Sequence, residues 1–335
     1  MHTLRYKLSF LTPAFLGNAS QQAQWRTPPV KALLRQWWRV AYAAQKQFKV
    51  DIAAMRREEA LLFGHAWLED DAVERDGKME KVASRKSQLR LRLWLPDSTQ
   101  TTQTPWAHGT QTGVKPMPED LGTSYAWFDL VKRAGLPDRE AIKAGTPEGV
   151  RVLTIAAPDN IMPTIEETFV LIDAFGTLGS RSRGAWGSLH VAQVEPLGAQ
   201  AALAYAQPLD NCLRNDWAMA LACDERGLCA WQSNNTFPSW DKAMAFVAMA
   251  RRQVRGAVSK ELRTALGFAG TGRMPSPMRW KIVPEGNALR VRIFAMPHAL
   301  PKDSGQSLSF AQLQAAWRTV CAERDDAKNL IRWKA

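Results

Sequence analysis

The residues best suited to chemistry in this 335-residue sequence lie between Phe175 and Ser188, in the run FGTLGSRSRGAWGS. Gly176, Gly179, Gly184 and Gly187 are interspersed there with Arg181 and Arg183 and with the small hydroxyl residues Ser180 and Ser182. Glycine permits backbone angles closed to other residues and lets a ligand approach the main chain. Successive N–H groups in such a loop can form an anion-binding concavity. Two guanidinium groups add planar, bidentate recognition of phosphate. The chemistry expected of Gly179, Ser180, Arg181, Ser182, Arg183 and Gly184 is therefore to hold the backbone of a polyanion.

A second basic constellation lies upstream. A helix is expected from about Pro29 to Phe48, because proline is tolerated in a first turn. Lys31, Arg35 and Arg39 follow at i, i+4 and i+8 and so stack along one face. At about 100° per residue, Trp38 and Tyr42 fall on that same face. Val30, Leu34, Trp37 and Ala41 form a separate apolar stripe. Cations for phosphates and rings for bases are what sequence-tolerant RNA binding needs. The plainer alternative is a surface helix whose Trp38 packs on a neighbouring domain.

These two features need elements to position them. Leu4 to Phe10 alternates strictly, which predicts a half-buried strand with Leu4, Tyr6, Leu8 and Phe10 inward. After the basic helix, Ala53 to Leu68 predicts a second helix. Gln88 to Leu95 predicts a strand with Arg90, Arg92 and Trp94 outward. A polar insertion from about 96 to 124 follows, either a flexible loop or a projecting arm. Then come a short helix near Tyr125 to Ala134, a strand over Val150–Ala157, a helix over Thr164–Phe175, the glycine loop and a strand over Ser188–Val194.

Without the insertions the order is β-α-β-β-α-β, the ferredoxin-like arrangement shared by RNA-recognition domains. The remainder repeats the theme more loosely. A weak strand near Trp217 to Cys223 precedes a long helix from Ser239 to Leu266, and Arg279–Val283 and Leu289–Phe294 form a hairpin around Gly286-Asn287. A last helix spans Phe310 to Asp325. The fold class expected is α+β, with a first ferredoxin-like domain over residues 1–200 and a more divergent second one over residues 209–335.

The bulk numbers fit this outline. A formal net charge of +12 favours nucleic acid, an anionic membrane surface or an acidic partner. No apolar run is long enough to cross a bilayer, and the N-terminus lacks a signal-peptide core, so a cytoplasmic protein is expected. Cys212, Cys223, Cys229 and Cys321 form no Cys-x-x-Cys pair and have no histidine at metal-ligand spacing. They are expected to be incidental thiols, and neither metal nor cofactor is expected. Arg5 and Lys7, Arg90 and Arg92, Arg279 and Lys281, and Arg290 and Arg292 occupy outward strand positions, ordinarily the solvated side of a sheet. Arg251, Arg252, Arg255 and Arg263 add positive charge to the long helix, so the charge is spread over more than one face.

The segment LTPAFLGN…QWRTPPVKALLRQWWRV, the EEALLFG segment and the loop GTLGSRSRGAWGS together resemble the RAMP superfamily of CRISPR proteins. Within it, the similarity is to the first-subunit family of the type III-B Cmr effector complex. The positions that match are Thr12, Pro13, Gly17, Arg26, Lys31, Arg35, Trp37, Trp38 and Arg39, then Gly179, Arg181, Ser182, Arg183, Gly184 and Gly187. Gly184-Ala185-Trp186 departs from the adjacent basic residues usual in that loop.

The resemblance implies two ferredoxin-like domains and no nuclease activity. It also implies binding of guide or target RNA near the 3′ end of the guide, by Arg26 and the residues above, and contact with other RAMP subunits. An alternative is a RAMP endoribonuclease, for which Lys31, Tyr42 or His65 could serve as a base. Asp51, Asp70, Asp71 or Asp120 could hold a metal. A third reading is a subunit whose main role is packing against other proteins.

Overall fold

A computed structural model describes residues 1–19, 23–66, 71–94, 104–105, 140–145, 149–270 and 272–334. Nearly all of the insertion at 96–124 and the helix expected near Tyr125 to Ala134 lie outside the described residues.

The first sheet is built from β1 (His2–Phe10), β4 (Arg90–Trp94), β5 (Arg151–Ala157) and β6 (Leu189–Val191), ordered β4-β5-β1-β6 with every pairing antiparallel. Its helices are α1 (Thr27–Gln45), α2 (Ile52–Phe63) and α3 (Met162–Phe175). The alternation in β1 works as expected: Tyr6, Leu8 and Phe10 are buried while Arg5 and Lys7 stay exposed. Pro28 and Pro29 sit in the first turn of α1, where proline's fixed φ suits a helix and its missing N–H costs nothing. Between α2 and β4 lies a hairpin that the sequence did not reveal, β2 (Ala72–Arg75) with β3 (Lys78–Lys81). Its exposed, charged strands lack the apolar alternation that marks a buried one.

The second sheet repeats this connectivity. It contains β10 (Ala230–Ser233), β11 (Met278–Glu285), β12 (Ala288–Ala295) and β13 (Leu330–Arg332), ordered β11-β12-β10-β13 and again antiparallel throughout. The helices α4 (Trp240–Ala257) and α5 (Phe310–Asp326) complete it. In both units the strands lie in the spatial order second, third, first, fourth.

Two expectations are corrected here. The opening strand of the second sheet is Ala230–Ser233; the stretch expected to supply it forms β8 (Leu221–Asp224) in a separate small sheet with β7 (Ala206–Pro208) and β9 (Gly227–Leu228). The long helix ends at Ala257, Val258 turns extended, and Lys260–Leu266 continues as a 3₁₀ helix in which Arg263 donates to the Val258 carbonyl.

The largest departure concerns the basic face of the hairpin β11–β12. Arg279, Lys281 and Arg292, expected on a solvated face, are buried. They face the first unit rather than water. Lys281 Nζ donates to the carbonyls of Ile172 and Leu189, at 2.7 Å each, and Arg292 donates to the Ala174 carbonyl at 3.1 Å. Ile172 and Ala174 belong to the last turn of α3, whose carbonyls have no partners within the helix and carry its negative dipole end. Aromatic rings seal the contact: Phe175 of α3 packs on Trp37 of α1, on Phe294 of β12 and on Trp333, and Arg292 lies 3.9 Å over the Trp333 ring. Hydrophobic cores cross the boundary in both directions, with Phe294 and Met296 joining the first core and Phe15 and Trp186 the second. Among the described residues no helix is long and apolar enough to cross a membrane.

Burial pushes the Lys281 ammonium down to about 7 from its ordinary 10.5, with Asp173 opposing the shift and Arg292 adding to it. Unfolded chains keep that proton up to about pH 10.5, so between pH 7 and 10.5 the unfolded state binds more protons and stability rises with pH. Lys281→Met is expected to lower stability and to remove this rise, which is up to about 1.4 kcal/mol per pH unit for one proton. Urea denaturation of wild type and variant at pH 7 and pH 9 checks it: equal pH slopes would contradict the assignment.

Candidate nucleic-acid interface

The glycine loop is a joint between the two units. Thr12 Oγ1 donates to the Ala185 carbonyl at 2.6 Å and accepts from Ser188 N at 2.9 Å. Ser180 N donates to the Phe15 carbonyl and Gly187 N to the Pro13 carbonyl. On its other side the loop meets the edge strand β11. Trp280 N donates to the Arg183 carbonyl, and Ile282 N to Ser188 Oγ at 2.9 Å. Gly179 and Gly187 both have positive φ. At Gly187 a Cβ would fall 1.9 Å from the Leu178 carbonyl oxygen, so no other residue fits.

This geometry corrects the expected concavity of free N–H groups. Those of Ser180, Gly184, Ala185 and Gly187 are bonded within the protein. What the loop offers outward is side chains. Ser180 and Arg181 are exposed, Ser182 is half-buried, and Arg183 reaches into the second unit, where Nη1 donates to the carbonyls of Pro275 and Ser276 at 2.7 and 2.8 Å. Burial, with Arg273 nearby, pushes the Arg183 guanidinium down to about 10.

The basic helix is corrected in part. Trp38 and Tyr42 are buried, so neither ring is open to a base. They are covered because α2 packs on that face: Phe63 meets Trp38 edge-on at 6.0 Å, and Tyr42 Oη donates to Glu58 at 2.9 Å. Buried Glu59 of α2 accepts from Arg35 at 2.6 Å and from Arg39 at 2.5 and 2.8 Å. One carboxylate between two guanidiniums leaves a net positive charge, and both arginines remain over a third exposed. Lys31 is half-buried, and burial, then Arg35, hold its ammonium below the usual range. Arg26 is exposed and ties the Gly17 carbonyl at 2.7 Å, so its role begins with the shape of the preceding turn.

Arg35 and Arg39 of α1 and Arg183 of the loop nonetheless meet in one place. They line a cleft of about 550 Å³ between the two units, with Arg279, Trp217 and His298 from the second half of the chain and Asp216 as its carboxylate. Arg279 is fully buried, and its Nε finds no acceptor among the described residues. Burial, then Arg183, push its guanidinium well below the ordinary value. The indole N–H of Trp217 is likewise without an acceptor there, although Arg39 lies 5.8 Å over its ring. Burial, with the positive field of Arg183 and Arg279, holds His298 below its ordinary 6.5 despite a hydrogen bond to the Ala299 carbonyl. Desolvated donors without acceptors are costly. An anion entering the cleft would satisfy them, which makes Arg279 and Trp217 the site residues that sequence reasoning missed. Both stand far from the motifs in sequence, and Arg279 was placed on the wrong side of its strand.

The residues considered for catalysis are held in structural roles. His65 and Asp71 are buried 2.7 Å apart, with Arg85 bonded to both Asp71 oxygens. The Arg85 guanidinium, assisted by His65, holds the Asp71 carboxyl down to about 2. Asp51 caps α2 by accepting from Ala53 N and Ala54 N. Burial, then the bond to Glu58, push the Tyr42 hydroxyl up to about 12. Asp70 and Asp120 lie outside the described residues. Asp224, Cys229 and Cys321 do gather within 4.8 Å, but the Arg332 guanidinium stands among them, 2.7 Å from Asp224 and 3.6 Å from Cys229 Sγ. Their negative potential already faces a cation.

No protein-family model and no curated protein matches the chain. Solved structures do. A crystal structure of Cmr1 from Pyrococcus furiosus (apo form) superposes with a TM-score of 0.55 at 13% identity, covering 96% of this chain and 97% of that one. The fold is Cmr1-like. A type III-B Cmr-beta complex bound to cognate target RNA and AMPPnP matches over 96% of this chain and 98% of its own at 10% identity and a TM-score of 0.49. Another Cmr-beta complex with cognate target RNA follows at 10% identity and 0.46. The Cmr1-like superposition runs through both sheets and the cleft between them, as its coverage requires.

Burial assigns Trp38 to the core. Trp38→Ala is expected to cost about 3–5 kcal/mol in denaturant unfolding through the cavity it leaves, with RNA affinity of the folded protein unchanged at saturating stability. An affinity loss without a stability loss would restore the ring to the interface.

Proposed function

We propose that the chain is a non-catalytic, RNA-binding RAMP subunit of a type III CRISPR effector complex, built from two ferredoxin-like units in tandem. It holds guide or target RNA near the 3′ end of the guide, in the cytoplasm and in contact with other RAMP subunits. The observation that carries this reading is the inter-unit cleft, where Arg35, Arg39, Arg183 and Arg279 converge and the Arg279 Nε and Trp217 Nε1 lack acceptors. A phosphodiester supplies acceptors and negative charge together, and guanidinium groups are suited to it. The repeated strand order, the Cmr1-like fold and the net charge of +12 support the same reading.

The non-catalytic role is supported by the engagement of His65, Asp71, Asp51 and Tyr42 in caps and clamps. Cleavage of a guide–target duplex, with or without Mg²⁺, that a point substitution abolishes would replace this reading with the endoribonuclease one.

The decisive experiment measures affinity of the full chain for single-stranded RNA against salt. Three or four phosphates neutralised at about 0.7 each give a log–log slope of about −2 to −3. Arg279→Leu is expected to weaken binding about tenfold or more, the loss of a charge-assisted hydrogen bond. The same change should leave stability equal or higher, since it removes a buried charge with an unmet donor. A flat salt slope, or an Arg279→Leu protein that is less stable yet binds normally, would sink the proposal.

A further inference from the structure

The two arginines of the glycine loop serve different pockets. Arg183 lines the inter-unit cleft, whereas Arg181 lines a second pocket of about 270 Å³ on the other side of the segment around Pro275. Arg251 and Arg255 of α4 and Arg273 line that pocket too, and no carboxylate does. Four guanidiniums from three separate parts of the chain therefore converge where nothing acidic offsets them.

The sequence makes room for this arrangement at Gly184. A Cβ there would fall 2.4 Å from Arg251 Nη1, so the guanidinium lies against bare backbone. Arg181 is itself held at positive φ, a conformation a non-glycine residue adopts only when its surroundings impose it. The wall between the two pockets is fixed as well. Arg183 Nη1 bonds the carbonyls of Pro275 and Ser276, and Pro275 lines both pockets.

We propose that the four-arginine pocket is a second phosphate subsite, occupied by a nucleic-acid strand that leaves the cleft and crosses Pro275. This inference rests on the RNA-binding reading of the cleft. Its content is the path: the strand straddles the Pro275 segment, with Arg183 and Arg279 gripping one phosphate and Arg181, Arg251, Arg255 and Arg273 another. The ligand chemistry, a phosphate flanked by several guanidiniums, is shared by a strand and by a free nucleotide, and the strand is favoured because the two basic pockets adjoin across one residue.

The test uses the full chain and a ladder of uridine oligonucleotides from the dinucleotide upward, with uridine monophosphate as a separate arm. The double variant Arg255→Ala/Arg273→Ala changes two exposed residues and is expected to fold normally, checked by its melting temperature. In wild type, affinity should climb with length and then level off. In the double variant the plateau should come at a shorter length, and the salt slope should be shallower by about 0.7 for each phosphate lost. Binding of the shortest oligonucleotides, which the cleft alone holds, should be unchanged. An identical plateau and slope in the two proteins would overturn the path while leaving the cleft intact. Monophosphate binding that the double variant loses, with long-oligonucleotide affinity untouched, would overturn it in favour of a free-nucleotide site. Absence of RNA binding by wild type would instead remove the reading beneath it.

Discussion

The structure depends on the docking of a basic strand pair onto the end of a helix. Lys281 and Arg292 present buried cations to the carbonyls of Ile172, Ala174 and Leu189, where α3 ends and β6 begins. A helix terminus needs partners for its last carbonyls and favours positive charge. A buried ammonium needs acceptors to offset lost hydration. Each requirement meets the other, and Phe175, Phe294, Trp37 and Trp333 exclude water around them. This contact sets how the two sheets lie against each other, and hence whether a cleft exists between them.

The glycine loop completes the joint. It is pinned to the Thr12–Phe15 turn on one side and to the edge of β11 on the other. An exposed sheet edge invites unwanted pairing, and covering it is one of the ways proteins prevent that. Close approach of three backbone segments explains why Gly187 tolerates no side chain and why Gly184 leaves space for Arg251. The loop therefore fixes geometry with its main chain and leaves Arg181 and Arg183 to act through their side chains, one on each side of Pro275.

Charge in this chain divides by what surrounds it. Arg35 and Arg39 share Glu59, and Arg332 lies among Asp224, Asp325 and Cys229, so those cations are matched within the fold. Arg279 is different: it is buried beside another guanidinium and has an unmet donor. Proteins bury such a group at a cost in stability, and sites for ligands are where that cost is tolerated. The cleft thus differs from the remaining basic surface by its desolvation, more than by its charge count.

Much of the fold was legible in the sequence. Strict alternation in Leu4–Phe10, the prolines ahead of α1 and the Gly286-Asn287 turn mark elements that local physics alone specifies, and the first β-α-β-β-α-β order follows from them. Grouping Lys31, Arg35 and Arg39 on one face, and opposing them to Arg183, was also within reach of helical periodicity and loop composition. Periodicity says which residues share a face but not what covers it. Trp38 lies on the basic face and is core because α2 packs there; Lys281 and Arg292 alternate like solvent-facing residues and are buried because the first unit supplies carbonyls for them. The sequence by itself determined the elements and the residues that carry positive charge. Which of those charges are spent on holding the two units together, and which are left desolvated and facing a cleft, was decided only when the second sheet met the first.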